Sequence, residues 1–351
     1  MTTESTTDSV QSRGKGLNVL LGLTLIGLMV ALWIALSFAT DAFMSERNIS
    51  NLARQGSMIA ILAIGETFVI LTAGIDLSVG AVAGFTSVIV AILINADATV
   101  VGGVLTTLGM STTGGLADTL LGIYDAFAVI ATLGVGVCVG LFHAFGIVRM
   151  GLPPFIMTLA TMQILRGAGF LTTQSTSIQI LGGDNSAFNS FAAADFLGIP
   201  SLFWVVIIVG IPSYVLLHQT RWGRYIFAVG SNPEAARLSG VNTKGIIYLI
   251  YALCSMCAAL VGIMLATRLH IGDASQAQGW ELQAIASTVI GGTSLFGAVG
   301  SAYGPILGAF ILATIANGAN LLHMNAFWQY IITGILIILI VYFDGLKRAK
   351  R

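Results

Sequence analysis

The sequence predicts an all-α polytopic membrane protein with about ten transmembrane helices and both termini in the cytoplasm. Three observations carry this. Of the 351 residues, 56% are hydrophobic and only 9% are charged, whereas a soluble domain carries about 25% charged residues. Apolar runs near the ~20 residues that cross a bilayer recur along the chain. The basic residues collect on one side of those runs, as cytoplasmic loops require. The 42 glycines fit the same class, because Gly is commoner in membrane helices than in soluble ones. A formal net charge of zero gives no basis for nucleic-acid binding.

The first apolar run, 17–39, follows Arg13 and Lys15. It is longer than the roughly 7–15 apolar residues of a signal peptide and reads as a retained helix. The runs 50–73 and 76–96 come next, with only a short turn between them. Segment 97–118 is rich in Gly and Thr. It reads as a loop, a short re-entrant piece or an extension of the third helix. Further runs occupy 119–147, 153–173, 201–219, 245–268, 281–297, 301–322 and 326–343. The organisation is then a cytoplasmic tail 1–16, a membrane domain 17–343 interrupted by a polar cytoplasmic loop 220–244, and a basic cytoplasmic tail 344–351.

Orientation follows from Lys and Arg. With the N-terminus inside, the cytoplasmic side holds Arg13, Lys15, Arg149, Arg221, Arg224, Arg237, Lys244, Lys347, Arg348, Lys350 and Arg351. These are eleven of the fifteen basic residues. Arg47, Arg54 and Arg268 lie at the outer side, and Arg166 lies within a span.

Asp76 stands in the apolar stretch "VILTAGIDLSVGAVAGF". The topology puts it at the cytoplasmic turn before the third helix, followed by Ser78 and by Gly80 and Gly84, whose spacing admits a close helix neighbour. It has two readings. An Asp there can pair the free N–H groups of a helix start. An ionisable group at membrane depth is also a candidate gate or coupling residue.

The loop 220–244 contains "NPEAARLSG". Asn232 suits an N-cap and Pro233 the first helical position. Glu234 favours the positive helix end, and Arg237 the negative one. Ala235, Ala236 and Leu238 offer small apolar contacts, and Ser239 leads to Gly240, which can close the helix in a left-handed turn. A two-turn helix is expected outside the membrane, packed on its own bundle or on a partner.

No phosphate-binding loop is present. Only Lys15 of the four lysines follows a Gly, and Gly16 follows it, where the motif needs Ser or Thr. Any ATP hydrolysis belongs to another subunit. The cysteines Cys138, Cys254 and Cys257 lie in apolar runs and read as reduced, packed residues. The four histidines are scattered and form no zinc-enzyme motif.

Four stretches resemble the ribose-type monosaccharide permeases of bacterial ATP-binding cassette importers. They are "GIDLSVG" (74–80), "LPPFIMTLATMQILRG" (152–167), "GRYIFAVGSNPEAARLSGV" (223–241) and "GGTSLFGAVGSAYGPILGAF" (291–310). The resemblance runs from about Asn48 to Asp344. It implies an importer permease fold in the bacterial inner membrane. It also implies a second permease subunit, ATPase subunits carrying ATP and Mg on the cytoplasmic face, and a periplasmic or lipid-anchored sugar-binding protein outside. Residues 232–240 correspond to the coupling helix that meets the ATPase. Two residues depart from the family pattern. Glu66 stands where a small apolar residue or Met is usual, and His143 stands near a usual Asn.

A neutral sugar needs uncharged polar groups along its path. The candidates are Asp76, Ser78 and Glu66, then Thr158, Thr161, Gln163 and Arg166 on the fifth run, and Asn317 and Asn320 on the ninth. Each also has an ordinary reading, as an interhelical hydrogen bond or a cap. Gly300, Gly304 and Gly308 read as a close-packing surface. A self-contained secondary sugar transporter is the alternative function; it would need carboxylates near mid-membrane, for which Glu66 is the one plausible candidate.

Overall fold

The computed structural model describes residues 4–107, 116–180 and 187–325, with scattered helical positions between 327 and 345. The elements in chain order are α1 (Glu4–Ala39), α2 (Glu46–Ile70), α3 (Val79–Thr107), α4 (Leu116–Val148), α5 (Pro154–Thr173), β1 (Ile178–Gln179), α6 (Ala187–Phe191), β2 (Asp195–Phe196) and β3 (Ile199–Pro200). They continue as α7 (Ser201–Gln219), α8 (Arg221–Ser231), α9 (Pro233–Leu238), α10 (Thr243–Leu269), β4 (Ile271–Gly272), α11 (Trp280–Ile290) and α12 (Gly304–Leu321). Among the described residues, eight helices are long and apolar enough to cross a membrane.

The helices start where local chemistry allows. Ser45 accepts the Asn48 N–H ahead of α2, Thr220 caps α8 and Asn242 caps α10. Proline lies at the first turn of α5, α9 and α12, where its missing N–H costs nothing. The centre of the bundle is α2 with α3 and α10, ringed by α4, α7, α11 and α12. The core side chains Met58, Ile61, Leu62, Val82, Tyr251, Ala258 and Val261 are sealed inside. α1 is peripheral and packs on α12, where the Trp33 indole donates to Thr314 at 3.2 Å.

Some expectations change and others are narrowed. The run 281–297 is not one helix. α11 stops at Ile290, because Gly291 and Gly304 bring the backbones of α11 and α12 together with no room for a side chain, and Gly292 turns at φ 91°. Gly308 does the same against Ser287, so the glycine row packs α12 on α11 within one chain, while Gly300 lies against Thr293 in the connecting turn. Segment 97–118 begins as an extension of α3 to Thr107 and ends in α4 from Leu116, with 108–115 outside the described residues. The run 326–343 and the tail 344–351 fall largely outside them too. The loop 220–244 is more ordered than its composition suggests, with the amphipathic α8 preceding α9.

Short strands tie the connections at one end of the bundle. β1 pairs antiparallel with β4, and β2 with β3 in a hairpin whose turn residues Leu197 and Gly198 have positive φ. α8 and α9 lie at the opposite end.

Candidate functional site

The first site candidate is a polar cluster around Asp76. α2 ends at Ile70, and the chain doubles back through Ala73 at φ 60°. The Asp76 N–H then donates to Glu66 Oε1 at 3.0 Å. Asp76 therefore lies beside a residue four positions inside α2, ~6 Å from the helix end. It lies in the turn between α2 and α3, as the sequence suggested, and is fully buried there. Its Oδ1 accepts from the Ser78 N–H at 2.9 Å and the Ser78 hydroxyl at 2.6 Å, which bends the chain into α3. Its Oδ2 faces His143 Nδ1 at 3.6 Å. His143 Nε2 lies 3.4 Å from the Ser78 oxygen. Glu66 Oε2 lies 3.8 Å from the Cys254 thiol, and Glu66 does not pair with Arg54, which reaches Asp195 instead.

The cluster joins residues that sequence reasoning held apart. Glu66 comes from α2, Asp76 and Ser78 from the turn, His143 from α4, and Tyr251 and Cys254 from α10. Thr158 of α5 completes it, its hydroxyl accepting the Leu77 N–H and facing the Ile75 carbonyl, both at 3.2 Å. The sequence signal for this convergence is that both departures from the family pattern, Glu66 and His143, meet at Asp76. Thr161 is buried and donates to Met157 within its own helix.

The second candidate was missed from sequence. Between α10 and α11 the polar stretch "GDASQAQG" reads as an outer loop, yet it enters the bundle along α3. Gly272 lies against Val88 and Ala91, the carbonyls of Ala274 and Gln276 against Gly84, and the Ala277 carbonyl against Gly80. Contacts shift from Ala91 to Gly80, so the segment descends ~16 Å along α3. The Gly80 and Gly84 surface thus receives an irregular chain and not a helix. Residues 271–290 run along the bundle, irregular first and helical from Trp280. Ala277 and Gly279 both have positive φ. Ser87 binds both the N–H and carbonyl of Asp273 at 3.2 Å. From α5, the Arg166 guanidinium donates to the carbonyls of Ala274 and, at 2.8 Å, Gln276. Gln163, three residues earlier, is exposed on the otherwise apolar outer face of α5.

Asn317 is taken up by structure. It exchanges amide hydrogen bonds with Asn48, at 3.0 and 2.7 Å. Asn320 lies one turn further along α12 and is also bonded.

The third candidate is α9. Asn232 Oδ1 accepts the N–H groups of Glu234 and Ala235 at 3.1 and 3.0 Å, and Gly240 has φ 83°. Ala236 packs inward, while Glu234, Ala235, Arg237, Leu238 and Ser239 face out. Arg237 Nε donates to Glu234 at 3.1 Å. That hydrogen bond and charge hold the Glu234 carboxyl below its ordinary range and push Arg237 above its own. α8 connects α9 to the membrane part at Gly230, whose Cα abuts the Leu71 carbonyl and the Ala298 N–H. Those two groups are themselves bonded at 2.9 Å.

The family described as branched-chain amino acid transport system / permease component matches residues 48–341. The chain is 34% identical over 326 residues to the ribose import permease protein RbsC of Escherichia coli strain K12, covering 93% of this chain and 94% of that protein. It is 35% identical to the Bacillus subtilis ribose import permease protein, with 92% of each covered. It is 31% identical to the xylose transport system permease protein XylH of Haemophilus influenzae, covering 92% of this chain and 96% of that protein. No solved structure matches the chain.

Proposed function

This chain belongs to the family of branched-chain amino acid transport system permease components, and on that premise we propose that it is the membrane subunit of an ATP-driven importer of a monosaccharide. The family description names amino acids, but the relatives named above, which match over nearly the whole chain, are ribose and xylose permeases. The sugar reading follows those relatives. A polyhydroxylated substrate also suits a bundle whose irregular crossing carries amides and a hydroxyl.

The observation that carries the importer reading is α9. It is a capped helix standing outside the membrane part, with Ala235 and Leu238 turned outward in a chain that has no phosphate-binding loop. So short a helix persists only with packing support, and Ala236 supplies that on the inner face. The outer face is free to enter a cleft on an ATPase carrying ATP and Mg. Movement there reaches the bundle through α8, Gly230, and the Leu71–Ala298 contact. That contact joins the Asp76 turn to the loop leading into α12.

In this reading the α8–α9 end is cytoplasmic and the β1–β4 end external, in a bacterial inner membrane. Ten crossings result when 271–290 and 326–343 are counted with the eight helices, and both termini lie inside. A second permease copy completes the path, and a periplasmic or lipid-anchored binding protein delivers the sugar. Of the residues named as path candidates, Gln163 is exposed, Arg166 is half-buried against the irregular segment, and Thr158, Thr161 and Asn317 are hydrogen-bonded within the bundle.

Reconstitution tests the reading. Vesicles with the ATPase and binding protein should take up sugar only with ATP inside the cytoplasmic compartment. Uptake by this chain alone would instead favour a secondary carrier. Reporter fusions after Lys350 and within 221–244 should read cytoplasmic, and those within 174–200 external; the reverse pattern would overturn the orientation.

A further inference from the structure

The irregular segment Asp273–Gly279 presents a problem that the fold alone does not solve. Non-helical backbone at membrane depth is tolerated where protein buries it or where it borders water, and not against hydrocarbon. One side of the segment is accounted for. Asp273 is held by Ser87, the Ala274 and Gln276 carbonyls by Arg166, and the Ala277 carbonyl rests on Gly80. The other side carries Ser275 and Gln278, and both are exposed. The outward stripe of α7, midway along a candidate span, is different, with Ile208 and Ile211 strongly exposed. That stripe is suited to lipid; a Ser and a Gln are not.

Between them, the Gln276 amide turns inward. Its Nε2 reaches the Ile271 carbonyl at 3.4 Å, and its Oε1 is buried with no hydrogen-bond partner. Buried acceptors in native proteins are satisfied by some group. The adjoining Glu281 also has a buried Oε2 without one. The segment therefore turns a hydroxyl and an amide outward and holds a second amide, with its unsatisfied acceptor, inside. Its backbone shape is fixed by the positive φ of Ala277 and Gly279. Residues held in such conformations cluster at ligand clamps and switch regions.

We propose that Asp273–Gly279 forms one wall of the water-filled sugar path, with Ser275 and Gln278 exchanging hydrogen bonds with the hydroxyls of a neutral monosaccharide. The proposal deepens the permease reading and rests on it. An uncharged hydroxyl and amide suit this role because each can donate and accept, and single bonds to a passing polyol are weak enough to release it. α11 begins directly after this wall, at Trp280, and its far end joins α12 at Gly291 against Gly304. Displacement of α11 therefore moves the wall.

The test uses membranes holding the full importer, in a Cys138→Ala background, since Cys254 and Cys257 are buried. A membrane-impermeant, charged methanethiosulfonate reagent is applied to Ser275→Cys and Gln278→Cys, with Ile208→Cys as the lipid-facing control. The first two should be modified and the control should not, and D-ribose or D-xylose should slow modification. In separate uptake assays Ser275→Ala and Gln278→Ala should each raise KM about fivefold, the loss of one hydrogen bond. Modification no faster than at 208 would show a dry contact with lipid or a partner copy and overturn the proposal. So would rapid modification combined with an unchanged KM in both alanine variants, which would mark a crevice off the path. If the parent importer moves neither pentose, the substrate reading fails, and the modification rates still decide whether this wall is wet.

Discussion

Asp76 and His143 face each other across 3.6 Å, Oδ2 to Nδ1, with both side chains sealed from solvent. The pair joins the turn after α2 to α4. Ser78 lies between them, its hydroxyl donating to Asp76 and its oxygen 3.4 Å from His143 Nε2. Because that hydroxyl proton is already committed to the carboxylate, the Ser78 oxygen can only accept from His143. The arrangement makes Asp76 the hinge of a re-entrant turn as well as the entry to a helix.

Asp76→Asn keeps the Oδ1 acceptor for both Ser78 donors and offers an N–H to His143 Nδ1. It should insert, assemble and retain uptake within about threefold, a change under 1 kcal/mol. Asp76→Ala leaves buried donors unpaired, at ~1–3 kcal/mol each, and should fail to accumulate or melt early. Loss of uptake by a well-assembled Asn variant would show that the carboxylate charge itself gates or couples.

Glu66 is tested by ranking. Glu66→Gln retains the acceptor for the Asp76 N–H and should be close to neutral in stability. Glu66→Met removes it and should cost ~1–3 kcal/mol, despite matching the family pattern. Thermal unfolding in detergent gives the order. Equal stability for Met and Gln would mean that the 3.0 Å bond contributes nothing.

The Asn48–Asn317 exchange clamps α2 to α12. Asn48 also donates to the Phe43 carbonyl at 2.8 Å, so its loss should be the more costly of the two. A double-mutant cycle with Ala at both positions should give a coupling of about 0.6–1.7 kcal/mol, the range of interhelical polar pairs in membranes. Zero coupling would leave two independent side chains.

α9 should bind the ATPase. Glu234→Arg reverses a charge at the helix start and breaks the pair with Arg237; Ala235→Trp puts a ring on the outward face. Both variants should stay in the membrane and lose co-purification of the ATPase or its sugar-stimulated hydrolysis. Acid should act late on this contact. The folded Glu234 carboxyl titrates below its unfolded value, so the pair's contribution is present above about pH 4.3 and vanishes as pH falls through the lowered value. Full coupling in both variants would remove α9 from the mechanism.

The parts legible in sequence were those governed by neighbours along the chain. Asn232, Pro233 and Gly240 act within a few positions, so α9 could be written down residue by residue. The long apolar runs declared themselves by composition. The path of 271–290 along α3 was illegible because its backbone is satisfied by Ser87 and Arg166, far away in sequence. Its own letters are those of a surface loop. The turn holding Asp76 was placed, but its burial was illegible for the same reason, since the acceptor that draws it inward is Glu66, on the preceding helix.

Gly230 offers the last and most direct test of how α9 reaches the membrane part. It lies near the end of α8, two residues before the Asn232 cap. A methyl group there would overlap the Leu71 carbonyl and crowd the Ala298 N–H. Those are backbone atoms, with no flexible side chain to swing aside, so one segment must shift. Leu71 closes α2 just ahead of the Asp76 turn, and Ala298 lies in the loop between α11 and α12. A shift at Gly230 therefore separates α9 from both without altering α9 itself. Gly230→Ala should leave ATPase co-purification intact and lower sugar uptake about tenfold, equivalent to ~1.4 kcal/mol of lost coupling. If the variant takes up sugar normally with the ATPase bound, the motion of α9 reaches the path by another contact. If it loses the ATPase as well, the glycine is needed to shape α9 and not to transmit its movement.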